Sequence, residues 1–93
     1  MEIDTAARVV RRGGESVVLA AREYALLEFL ALRRDTIVTR GEIERRLYSD
    51  SHEIASNVVD ATVCALRRKI DPPDGPSPIK TRRGIGYVLG EEL

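Results

Sequence analysis

Four apolar side chains, Val59, Val63, Leu66 and Ile70, recur at i, i+4, i+7 and i+11, and the run is then cut off by Asp71-Pro72-Pro73-Asp74-Gly75-Pro76-Ser77-Pro78. This spacing places all four on one face of an α-helix. Prolines remove amide donors and clash with the preceding turn, so the helix has to stop near Asp71. At roughly 100° per residue, the opposite face consists of Asn57, Ala61, Cys64, Ala65 and Arg68. Val58, Thr62 and Lys69 lie on one flank, Asp60 and Arg67 on the other. Ser56 is placed to cap the helix. Past the prolines, residues 79–82 and 87–89 flank Gly84-Ile85-Gly86, the pattern of a β-hairpin, here carrying Lys80, Arg82 and Arg83.

The remainder reads as a small sheet followed by two further helices. Residues 1–4, 8–11 and 16–19 form short strands, with Arg12-Gly13-Gly14-Glu15 as the hairpin turn between the last two. Over residues 22–33, Tyr24, Leu26, Leu27, Phe29, Leu30 and Leu32 make a broad apolar stripe without internal Gly or Pro, as in a well-buried helix. Asp35 begins a turn, and the β-branched Thr36-Ile37-Val38 suits a single strand. Thr39-Arg40-Gly41-Glu42 matches a capping box, so a second helix is expected over residues 40–48. Ser49-Asp50-Ser51-His52-Glu53 is a polar connector to the last helix.

Composition bounds what such a chain can do. Ninety-three residues make one small domain. The single Cys64 rules out an internal disulfide or a cysteine metal cage, and the single His52 cannot furnish a zinc site, so no cofactor is expected. No apolar run approaches the ~20 residues needed to span a bilayer. Met1-Glu2-Ile3-Asp4 lacks the start of a signal peptide, so a cytoplasmic protein without a membrane partner is expected. No Ser/His/Asp or Cys/His set and no phosphate-cradling glycine loop is visible, which argues against an enzyme.

The formal net charge is zero, but its distribution is uneven. Residues 66–90 carry six cations (Arg67, Arg68, Lys69, Lys80, Arg82, Arg83) against Asp71 and Asp74, net +4. The first 65 residues carry nine cations and eleven acids, net −2. Local potential, rather than net charge, steers an anionic ligand. Cations in the last turn of a helix also complement its dipole, so Arg67, Arg68 and Lys69 do not by themselves identify a nucleic-acid reader. Joined to the hairpin cations they form one basic patch.

The order sheet, helix, strand, helix, helix, basic hairpin is that of an α+β winged helix-turn-helix. The chain resembles the DNA-binding effector domain of OmpR/PhoB-type bacterial response regulators. The resemblance rests on Arg22-Glu23-Tyr24-Ala25-Leu26-Leu27, Thr39-Arg40-Gly41-Glu42-Ile43, Asn57-Val58-Val59-Asp60 with Leu66-Arg67-Arg68-Lys69-Ile70, and Thr81-Arg82-Arg83-Gly84-Ile85-Gly86-Tyr87. It covers nearly the whole chain, with strands in 1–19, a three-helix unit in 21–71 and the wing in 79–89.

The resemblance implies sequence-specific double-stranded DNA binding, with the third helix in the major groove and the wing in the minor groove. Asn57, Val58, Ala61, Thr62, Cys64, Ala65, Arg67, Arg68 and Lys69 would form the helix surface on DNA, and Thr81, Arg82 and Arg83 the wing surface. By the motif match, Arg83 would enter a narrow A·T-rich minor groove and Thr81 would meet backbone phosphate. Position 82 is commonly apolar in the family, so its arginine is a departure. Cys64 and Ala65 stand where relatives often carry polar side chains, which leaves Asn57 and Thr62 for base hydrogen bonds and Ala61 for a thymine methyl. Ala20-Ala21 replaces the usual Thr-Pro opening of the first helix. The loss of that cap is worth about 0.5–2 kcal/mol, and Glu23, without its capping partner, implies a frayed first turn.

The resemblance further implies tandem binding to direct-repeat half-sites, a weak or DNA-dependent dimer, RNA polymerase contact through the loop at 48–55, and a receiver domain ahead of residue 1 that this chain lacks. Glycines at 84 and 86 would let the wing turn tightly and approach another backbone, and Tyr87 would pack beneath it. The competing reading is a winged helix used only for protein interaction, favoured by the zero net charge and by Cys64-Ala65. Salt dependence of DNA binding separates the two.

Overall fold

The computed structural model describes residues 2–48, 57–72 and 75–90. The chain opens with β1 (Glu2–Asp4), β2 (Val9–Arg12) and β3 (Glu15–Val17), an antiparallel sheet in that order. Gly13 and Gly14 join β2 to β3 with φ of +59° and +85°, the left-handed pair that a two-residue hairpin loop requires. The register pairs Ile3 with Val10 and Val10 with Val17. This column forms the inner face of the sheet: Val10 is buried, and Ile3 and Val17 pack against the core.

Helix α1 (Ala21–Leu32) drives Tyr24, Leu26, Leu27, Phe29 and Leu30 into the interior. Leu32, expected on the same stripe, is instead 68% exposed. It lies roughly 200° around the helix from Leu30, which turns it away from the core. The expected fraying of the first turn is also corrected. Ala20 has no side-chain acceptor, yet Glu23 reaches back to accept from the Ala20 amide at 2.9 Å and also accepts from Lys69 at 2.7 Å.

After a turn in which Asp35 adopts φ +64° and its amide donates to Leu89 O at 3.0 Å, β4 (Val38–Thr39) leads into α2 (Arg40–Leu47). The expected capping box forms. Glu42 N donates to Thr39 Oγ1 at 3.1 Å, and Thr39 N donates to Glu42 Oε1 at 2.9 Å. Helix α3 (Val58–Ile70) buries Val59, Val63, Leu66 and Ile70, as its spacing requires. Ser56, the expected cap of α3, lies outside the described residues.

The chain closes with β5 (Ile79–Arg82) and β6 (Gly86–Leu89), an antiparallel hairpin. β6 lies between β4 and β5, pairing Val38 with Tyr87 and Thr39 with Gly86. Gly86 is obligatory here, because a Cβ at this position would stand 2.0 Å from Val38 O. The three helices, the sheet and the hairpin make the winged helix that the element order predicts. The core joins α1 and α3 to Val38, Ile43, Ile79, Tyr87 and Leu89.

Candidate nucleic-acid interface

The buried stripe of α3 turns Asn57, Ala61, Cys64 and Arg68 outward; all four are exposed, with Val58 and Ala65 half-buried beside them. Arg68 has no partner among the described residues. The hairpin presents a second surface. Ile85 N donates to Arg82 O at 2.9 Å, closing a turn in which Gly84 takes φ +76°. A left-handed third residue is what such a turn assigns to glycine. Thr81, Arg82, Arg83 and Ile85 are all exposed, and neither arginine has a partner among the described residues.

Four residues expected on the DNA-facing surface, Thr62, Arg67, Lys69 and Thr81, have partners inside the protein. Arg67 donates to Ile79 O from Nε at 3.1 Å and from Nη2 at 2.7 Å, and to Thr81 Oγ1 at 2.8 Å. Lys69 pairs with Glu23 of α1. Thr62 Oγ1 donates to Val58 O at 3.0 Å and lies 2.6 Å from the Tyr48 hydroxyl. With its only proton on Val58, Thr62 accepts from Tyr48, so little of its hydrogen-bonding capacity is left for a base.

A polar framework that local pattern does not reveal holds the two surfaces. Asp60 of α3 accepts from Arg40 Nε at 3.2 Å and Nη2 at 3.0 Å, and from the Tyr87 hydroxyl. Burial raises the Tyr87 hydroxyl above its ordinary range, and the bond to Asp60 raises it further, so it remains a donor. Arg40 and Asp60 stand twenty residues apart across the connector, beyond any helical periodicity. At the other end of α3, Arg12 of β2 donates to Asp71 O. Ser77 then donates to Asp71 Oδ1 at 2.6 Å and accepts from Ile79 N at 3.2 Å, fixing the entry into β5. One signal was available in the sequence: Glu23 at the third position of a helix that lacks a capping side chain needs another partner, which Lys69 supplies.

Loop residues 49–55, including His52, lie outside the described residues. Among the described residues, no group of three or more His, Cys, Asp or Glu side chains could hold a metal ion, and no helix is long and apolar enough to cross a membrane.

Residues 14–89 match the family model described as transcriptional regulatory protein, C terminal. The transcriptional activator protein IrlR of Burkholderia pseudomallei is 40% identical over 89 residues, 96% of this chain and 39% of IrlR. The response regulator DrrB of Thermotoga maritima, an OmpR/PhoB homologue, superposes with a TM-score of 0.85 at 30% identity, over 96% of this chain and 41% of DrrB. The DNA-binding domain of Klebsiella pneumoniae RstA, solved in complex with the RstA box, gives a TM-score of 0.82 at 31% identity, over 95% of this chain and 88% of that domain. The chain thus spans about two fifths of the length of the curated relative it matches.

Proposed function

The chain belongs to the family of transcriptional regulatory protein C-terminal domains, the winged-helix DNA-binding domains of OmpR/PhoB-type response regulators, which are not enzymes; on that premise we propose that it binds double-stranded DNA sequence-specifically, with α3 in the major groove and the wing in the minor groove. What carries this reading is one arrangement. The outward face of α3 and the tip of the wing bear Arg68, Arg82 and Arg83 without partners among the described residues, while a polar framework fixes the elements that bear them. Cations held ready in this way suit phosphate and a narrow minor groove. Asn57, Val58, Ala61, Cys64 and Ala65 face the bases in this reading, and Thr81 meets backbone phosphate beside Arg82 and Arg83.

As part of a longer regulator, the chain would follow a receiver domain and occupy direct-repeat half-sites as a weak or DNA-dependent dimer. Loop 48–55 would contact RNA polymerase. A DNA ligand of this kind puts the protein in the bacterial cytoplasm.

Selection of bound sequences from a randomised duplex pool, with the winners remeasured at two salt concentrations, tests the proposal. Enrichment of a direct repeat with affinity that falls steeply with salt is expected. Absence of enrichment and of salt-dependent binding, by folded protein, would favour a protein-interaction module using the small side chains of α3.

A further inference from the structure

The hairpin that forms the wing has strands of four residues; its base is held by pairing with the two residues of β4 and by Ile79, Tyr87 and Leu89 in the core, while its far end, from Thr81 to Ile85, is exposed. An isolated hairpin is marginal in water, so the angle of this one against α3 depends on what ties it down. Arg67 ties it at a single cross-strand pair. Thr81 stands opposite Tyr87 in the β5–β6 register. Arg67 donates to the hydroxyl of the first, and its guanidinium carbon lies 5.6 Å from the ring centroid of the second. With the two donations to Ile79 O, three of its five N–H groups are engaged within the protein. Arg68, the next residue, is exposed and has no described partner.

We propose that Arg67 is a positioning residue for the wing, setting Thr81 and Arg83 relative to the outward face of α3 and acting on DNA affinity through the wing rather than through a phosphate contact of its own. The chemistry suits arginine alone. Its planar fork serves a carbonyl, a hydroxyl and an aromatic ring at once, whereas lysine offers a point charge. The Asp60–Tyr87 bond fastens the other strand of the hairpin to the same helix, so displacement of Arg67 leaves the wing attached but free to change its angle.

The test compares Arg67→Lys and Arg67→Met, each with the wing intact and with the wing stripped by Arg82→Ala and Arg83→Ala, against a duplex selected as above. With the wing intact, both variants are expected to weaken binding about tenfold, the loss of charge-assisted hydrogen bonds that aim the wing. With the wing stripped, the same changes are expected to weaken it less than about twofold, because the two sites act as one unit. The salt slope of the stripped protein should not change with Arg67→Met. A phosphate contact by Arg67 predicts the reverse and would overturn the proposal: Arg67→Lys near wild type, and Arg67→Met lowering the slope by roughly 0.9 in both backgrounds.

Exchange of the Arg67 Nε proton in the unaltered protein tests the same point without any variant. Slow exchange before DNA is added, scarcely altered in the complex, is the expected result; protection that arises only in the complex overturns the proposal. This inference rests on the DNA reading. Failure of the unaltered protein to bind any duplex would remove that reading, and the exchange rate in the free protein would still decide the contact between Arg67 and the wing.

Discussion

Glu23 and Lys69 form an ion pair at 2.7 Å in which the Glu23 side chain is 11% exposed and the Lys69 side chain 41%. Burial pushes the Glu23 carboxyl up, but the hydrogen bond from Lys69 and the Ala20 amide outweigh it and hold the group below its ordinary value of 4.5. A carboxylate whose pKa is lower folded than unfolded stabilises the fold above the unfolded value, and that contribution is lost as pH falls through the folded one. Glu23→Gln is therefore expected to destabilise the protein by about 1–3 kcal/mol at neutral pH. The difference should shrink below about pH 4.5, as read by denaturant unfolding across pH. A constant difference between pH 7 and pH 3 would mean that the charge of Glu23 does not stabilise the fold. The same pair marks the limit of reading single residues from sequence. A helical wheel gives the direction in which Arg67 and Lys69 leave α3, but long side chains bend toward partners on other elements, and those partners appear only when the chain has folded.

Elements were more legible than contacts, because their signals are local. The proline run ends α3, two glycines close β2 onto β3, and Thr39 with Glu42 opens α2, each by a mechanism contained within a few residues. The start of α1 departs from its local signal for the same reason: Ala20 lacks a capping side chain, and Glu23 is held by the Ala20 amide together with a donor from another helix. The geometry there remains open to improvement. Ala20 is extended at φ −68° and ψ 159°, as a capping residue should be, and half of a capping box already exists. Ala20→Ser is expected to stabilise the protein by about 0.5–2 kcal/mol, measured as an increase in unfolding midpoint at unchanged m-value. A decrease would show that the first turn does not accept the cap.

Across the whole molecule, long-range pairing and charge decide what the chain presents. β6 sits between β4 and β5 although nearly fifty residues separate it from β4, and no local pattern states that order. Gly86 was legible as a point of close approach, but its partner, the Val38 carbonyl, was not. A chain of zero net charge gathers a net +4 over residues 66–90. The fold then divides those cations: Arg67 and Lys69 are held by partners within the protein, while Arg68, Lys80, Arg82 and Arg83 have none among the described residues, and the three arginines are exposed. This division is the basis for expecting DNA at the α3 and wing surfaces. The most direct measurement is the affinity of the unaltered protein, Arg68→Ala and Arg83→Ala for one selected duplex at two salt concentrations. On the DNA reading, Arg83→Ala weakens specific binding by about 1–3 kcal/mol and Arg68→Ala lowers the salt slope by about one, with the fold intact in both. Unchanged affinity and slope in both variants would contradict that reading.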